Sequence, residues 1–142
     1  MSRFQFKKWL MAPAALMLLV AMALPSLADV QINKIVVEPG GGSATIRIKV
    51  INMAVKNQKG PVVVRLSVRK TDNDHWTDLV TWNDIDGLGN GESAERIWSD
   101  PGNDLMRKLV AGGSFKIRVK ATAPGLSAPV EYRQTWKAAA NP

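Results

Sequence analysis

Cysteine is missing from all 142 residues of the chain, and histidine occurs once, at His75. The first absence excludes a disulfide framework, a thiolate metal site and a lipid anchored on an N-terminal cysteine. The second leaves little for acid–base or nucleophilic chemistry. A Ser-His-Asp triad would have to pair His75 with Asp72, Asp74 or Asp78 in one polar loop, and no Gly-x-Ser-x-Gly elbow exists to present the serine. A zinc centre needs three or four His, Cys or carboxylate ligands, which a single histidine does not favour. Nucleotide-binding loops are missing too. Gly40-Gly41-Gly42 leads into a strand pattern and not a helix, and Gly87-x-Gly89 has Glu92 where the dinucleotide fingerprint needs its third glycine. The expectation is a non-catalytic protein without a cofactor.

Acidic residues are absent from the first 28 positions. Arg3, Lys7 and Lys8 precede an apolar run from Trp9 to Leu24, and Pro25-Ser26-Leu27-Ala28 supplies small residues for cleavage. Charge, grease and small-residue site in that order describe a secretory leader over residues 1–28. The alternative is a retained membrane anchor. The run falls short of the ~20 apolar residues of a bilayer span and is interrupted by Pro13. The expected product is therefore exported, periplasmic or secreted, and has no transmembrane span of its own. Removal of 28 residues leaves 114, with 16 basic and 12 acidic side chains and a net charge of +4. That is mildly basic, without the clustered basicity of a nucleic-acid binder.

From residue 30 onward the apolar period is two. Ile46, Ile48 and Val50 alternate with Thr45, Arg47 and Lys49, and Leu66 and Val68 alternate with Arg65, Ser67 and Arg69. Phe115, Ile117, Val119 and Ala121 alternate with Lys116, Arg118 and Lys120. Further strands are expected from Val30 to Val37, from Leu79 to Trp82, from Ser93 to Trp98 and from Val130 to Trp136. Gly, Pro, Asn and Asp fill the connections. One short helix is expected from Asp104 to Val110, capped by Asn103 or Asp104 and ended by Gly112-Gly113. About seven short strands with turns between them predict an all-β protein, a two-sheet antiparallel immunoglobulin-like β-sandwich over residues 29–137, followed by a frayed tail at 138–142.

Leu88-Gly89-Asn90-Gly91-Glu92-Ser93 followed by Ala94-Glu95-Arg96-Ile97-Trp98 resembles a segment of the CARDB-type domains, the cell-adhesion-related domains of bacteria. Gly113-Ser114-Phe115-Lys116-Ile117-Arg118-Val119 is similar to that family's closing strand, and Ala44 to Asn52 to its second strand. The resemblance covers about residues 44–121. Asn52 is followed by Met53-Ala54 where the family reads Asn-x-Gly, and the stretch from Ser99 to Gly113 is longer. The resemblance implies an extracytoplasmic module for adhesion or scaffolding, with no catalytic residues.

Three sets of side chains remain as candidates. Asp84, Asp86, Asn90 and Glu92 are weak candidates for calcium, because clustered loop oxygens suit that ion. The spacing is not that of an EF-hand, and Asp and Asn favour turns for their own hydrogen bonding. Trp76, preceded by Asp72-Asn73-Asp74-His75, is the tryptophan least tied to a strand and is a candidate contact for a sugar or a protein. Trp82, Trp98 and Trp136 are assigned to the core. Arg65 and Arg69 with Lys116, Arg118 and Lys120 form one outward basic face if the third and sixth strands share a sheet. Such a face suits an acidic protein partner, an anionic polysaccharide or another anionic surface. Solvated charge is its plainer explanation. The alternative function is a small-ligand, carbohydrate or calcium-binding accessory domain.

Overall fold

The computed structural model describes residues 30–139. The expected leader over residues 1–28, Asp29 and residues 140–142 lie outside the described residues. Alternation decides the architecture. Every second residue of β2 (Ser43–Asn52), of β3 (Val62–Arg69) and of β6 (Ser114–Thr122) is buried, so each strand has one dry face. Such strands are stable only when two dry faces meet. β1 (Val30–Gly40), β2 and β5 (Ser93–Ser99) form one antiparallel sheet in the order β1-β2-β5. β4 (Thr77–Ile85), β3, β6 and β7 (Val130–Lys137) form the other, in the order β4-β3-β6-β7. Residues 30–139 form a seven-strand β-sandwich, and β3 pairs with β6 as expected. β4 hydrogen-bonds to β3, whereas in the constant-type immunoglobulin order the fourth strand pairs with the fifth. That placement gives the basic sheet its fourth strand.

Two strands exceed their expected bounds. β1 runs three residues past Val37, with Pro39 opposite Ala44 and Gly40 opposite Ser43, because an edge strand tolerates a residue without an N–H. β4 spans nine residues because it follows the ladder of β3 along its length, with register shifts opposite Val62/Val64 and Leu66/Ser67.

The core lies between the sheets. Phe115, Ile117, Val119, Leu66, Val64, Ile46 and Ile48 are fully buried, each contributing about 1.5–3 kcal/mol by leaving water. Trp98 is buried with them, while Trp82 and Trp136 pack half-buried against the rim. Phe115 and Trp136 lie ring to ring at 5.0 Å.

The two ends are closed differently. At one end α1 (Asp104–Ala111) lays Met106 and Leu109 over the core. Asn103 caps it by accepting from Met106 N, and Gly112 ends it. At the other end, Asn52 is buried without residual exposure. Its Nδ2 donates to the carbonyls of Lys56 and Leu88 at 3.0 Å and of Gly89 at 3.2 Å, and its Oδ1 accepts from Ala54 N at 2.9 Å. Its backbone also pairs with Gly91 and Glu92. One amide thus ties the β2–β3 and β4–β5 connections together. Glycine is required beside it: a Cβ on Gly87 would stand 2.8 Å from the Gln58 carbonyl, and Gly91 has φ +74.

Candidate interaction surface

The register of the four-strand sheet places its cations in rows. Arg65 lies opposite Lys120, Ser67 opposite Arg118, and Arg69 opposite Lys116. On the far side of β6, Glu131 lies opposite Lys120, Arg133 opposite Arg118, and Thr135 opposite Lys116. All face away from the core, since Leu66, Val68, Ile117 and Val119 fill the inner positions. The five expected basic residues therefore do share one face. Arg133 joins them.

Trp76 lies over this face. The guanidinium carbons of Arg69, Arg118 and Arg133 lie 4.1, 4.6 and 5.6 Å from its ring centroid. Each cation–ring contact contributes about 0.5–1 kcal/mol at an exposed site and more where water is excluded. The turn before Trp76 is built by Asp74, whose Oδ2 accepts from the backbone N and the hydroxyl of Thr71, each at 2.9 Å. These two bonds hold the Asp74 carboxyl below the usual carboxylate range, helped by the nearby charges of Lys70 and Arg69. The loop residue and the basic face, read separately in the sequence, are one constellation.

Six cations on this face meet three carboxylates. Arg65 pairs with Asp78 at 3.8 Å, Arg69 with Asp72 at 3.3 Å and Lys116 with the same Asp72 at 3.6 Å. Glu131 takes Arg133 at 2.6 Å and Lys120 at 3.9 Å. Arg118 has no ion pair among the described residues, and its buried Nε has no hydrogen-bond partner. Two corrections follow for the picture of a freely solvated row. The Arg69 side chain is only 12% exposed, and Arg118 is half-buried against the ring. A cleft of about 140 Å³ opens beside Trp76, lined by Arg69, Lys116, Arg133 and Thr135 among others.

The oxygen-bearing loop residues are drawn apart. Asp84 pairs with Arg96 at 3.1 Å, across the gap between β4 and β5. The Glu92 carboxylate accepts from Gly89 N at 2.6 Å, and Asn90 donates its backbone N–H to Asn57 Oδ1. Asp86 is exposed. Asp72, Asp74 and Asp78 are separated from this group by the length of β4. Among the described residues no three His or carboxylate side chains are grouped to hold a metal ion. His75 is exposed in its loop.

No family model matches the chain, and no curated protein sequence matches it. Among solved structures it is similar to β-glucosidase 3B from Thermotoga neapolitana in complex with glucose, at 13% identity and a TM-score of 0.44. The same enzyme in complex with α-D-glucose gives 13% identity and a TM-score of 0.45. Each match covers 76% of this chain and 16% of the enzyme chain, so the protein spans about one sixth of the length it is compared with.

Sequence reasoning missed two residues that matter. Arg133 was readable from alternation in β7, where Val130, Tyr132 and Trp136 face inward. Asn52 matched the strand-ending Asn of the CARDB resemblance, but nothing in the residues around it signalled the bonds it makes.

Proposed function

We propose that the protein is a non-catalytic, exported interaction module that docks a partner of repeated negative charge, an anionic polysaccharide or an acidic protein surface, on the outer face of β4-β3-β6-β7. The observation that carries this reading is the guanidinium cluster around Trp76. It holds more positive charge than its carboxylates balance, already ordered on an aromatic plate, so little side-chain entropy is lost on docking. Export follows from the leader pattern at residues 1–28, and the resemblance to CARDB-type domains is in keeping with an adhesion or scaffolding role. The arginines already cover ring surface on Trp76 that a sugar would need, which disfavours a carbohydrate-stacking site.

The test is a titration with dextran sulfate, against neutral dextran, at two salt concentrations. The parent should bind only the sulfated polymer and lose affinity as salt rises. Arg65→Glu with Arg133→Glu, two exposed positions, should weaken binding about tenfold while leaving stability nearly unchanged. Equal affinity of parent and variant would sink the proposal.

A further inference from the structure

Four strand edges bound the two sheets, and three of them carry devices that discourage pairing with another chain. β1 has a register shift between Ile32 and Lys34 and contains Pro39. β4 has two register shifts against β3. β5 turns a charge inward: Arg96 lies opposite buried Ile48 and reaches Asp84. β7 has no register shift, proline or inward charge, and its charged side chains, Glu131, Arg133 and Lys137, all lie on the outer face. Its eight residues pair with β6 in unbroken register from Ser114↔Lys137 to Ala121↔Val130. Its inward-facing side chains are also incompletely covered, with Tyr132 45% exposed and Gln134 and Trp136 half-buried.

From this edge we infer that two copies of the chain associate through antiparallel pairing of β7 with β7, joining two four-strand sheets into one of eight strands. Charge selects the register. A two-fold axis perpendicular to the sheet keeps inward residues opposite inward ones, so the axis passes through a residue position. Centring on Arg133 sets two guanidiniums against each other, and centring on Thr135 sets Arg133 against Lys137. Both juxtapose like charges, which destabilise a strand pair. Centring on Tyr132 opposes Glu131 and Arg133 but overlaps only five residues of the strand. Centring on Gln134 pairs seven, Glu131 to Lys137, and sets Glu131 against Lys137 twice. The same register brings Tyr132 opposite Trp136 on the inner side, covering the two aromatic rings the monomer leaves part-exposed. The edge charges complement a second copy of this strand.

The experiment uses opposite charge changes in separate chains. In Glu131→Lys alone, lysine faces lysine across the axis; in Lys137→Glu alone, glutamate faces glutamate. Sedimentation velocity should show the parent in a concentration-dependent monomer–dimer equilibrium and each variant weakened about tenfold. An equimolar mixture restores both opposite-charge pairs and should regain the dimer. A parent that stays monomeric from micromolar to millimolar concentration would overturn the inference, as would a mixture no more associated than its components. Should either variant fail to fold, Gln134→Cys provides the second test, since position 134 meets itself on the axis and the parent has no thiol. It should form an intermolecular disulfide faster than Ser127→Cys in the β6–β7 connection; equal rates would overturn the pairing.

Discussion

Asn52 and Trp76 are both polar centres at which several chain segments meet, and they are built on opposite terms. Around Asn52 every bond points inward: three carbonyls and one N–H converge on an amide with no exposure. Around Trp76 three guanidiniums converge on a ring, yet their charge is only partly balanced and the face stays open to solvent. A satisfied buried group fixes the chain and has no capacity left for a partner. A surplus of ordered charge at the surface keeps that capacity. The first is architecture, and the second is the surface we propose for docking.

The comparison is broken most directly at Asn52. Asn52→Asp keeps the shape but buries a carboxylate against three carbonyls. Those of Leu88 and Gly89 keep the N–H groups of Gln58 and Glu92, that of Lys56 loses its amide donor, and an uncompensated buried charge costs about 3–5 kcal/mol. Denaturant unfolding should show a loss of about 4 kcal/mol or more, a large part of the stability of a domain this size. A loss below about 1 kcal/mol would mean that the amide is not the tie described.

A smaller effect is expected from Trp76→Ala. Loss of the shared ring should cost about 1–2 kcal/mol by the same unfolding measurement, and affinity for dextran sulfate should fall with it. Were Trp76→Ala as damaging to stability as Asn52→Asp, the ring would belong to the architecture and the contrast would collapse.

The smallest effect sharpens the account of how Trp76 is aimed. Asp74 titrates below the usual carboxylate range because its ionised form accepts two bonds from Thr71. A folded-state value depressed in this way gives stability that is present above the ordinary carboxylate range and lost as pH falls through the depressed value. Carboxyl chemical shifts followed from neutral to acid pH should place the Asp74 midpoint below the ordinary aspartate value, and Thr71→Ala should raise it. A midpoint unmoved by Thr71→Ala would remove Thr71 as the cause.

What alternation dictates was legible: the strands, the inward set from Ile46 to Val119, and the outward row of Arg65, Arg69, Lys116, Arg118 and Lys120. Period two assigns each residue to a face without any knowledge of the partner strand. What depends on chain segments meeting was not legible. The stacking of Arg69 and Arg118 on Trp76 requires the β3–β4 loop to fold over the sheet, and nothing in the residue pattern of that loop states its direction. The role of Asn52 depends on carbonyls at Leu88 and Gly89, 36 and 37 residues away. The carboxylates of the β4–β5 connection suggested a shared ligand by composition, but turn geometry and Arg96 use Glu92 and Asp84 separately.

One further consequence comes from where the tryptophans lie. Trp98 is in the core and Trp82 and Trp136 pack against its rim, so their surroundings stay the same when something settles on the outer face. Among the described residues, Trp76 alone has cations against its ring on that face. A polymer that draws those guanidiniums toward itself changes the emission of a single indole over a constant background. Under the docking we propose, the protein would carry its own optical gauge of occupancy, with no label attached.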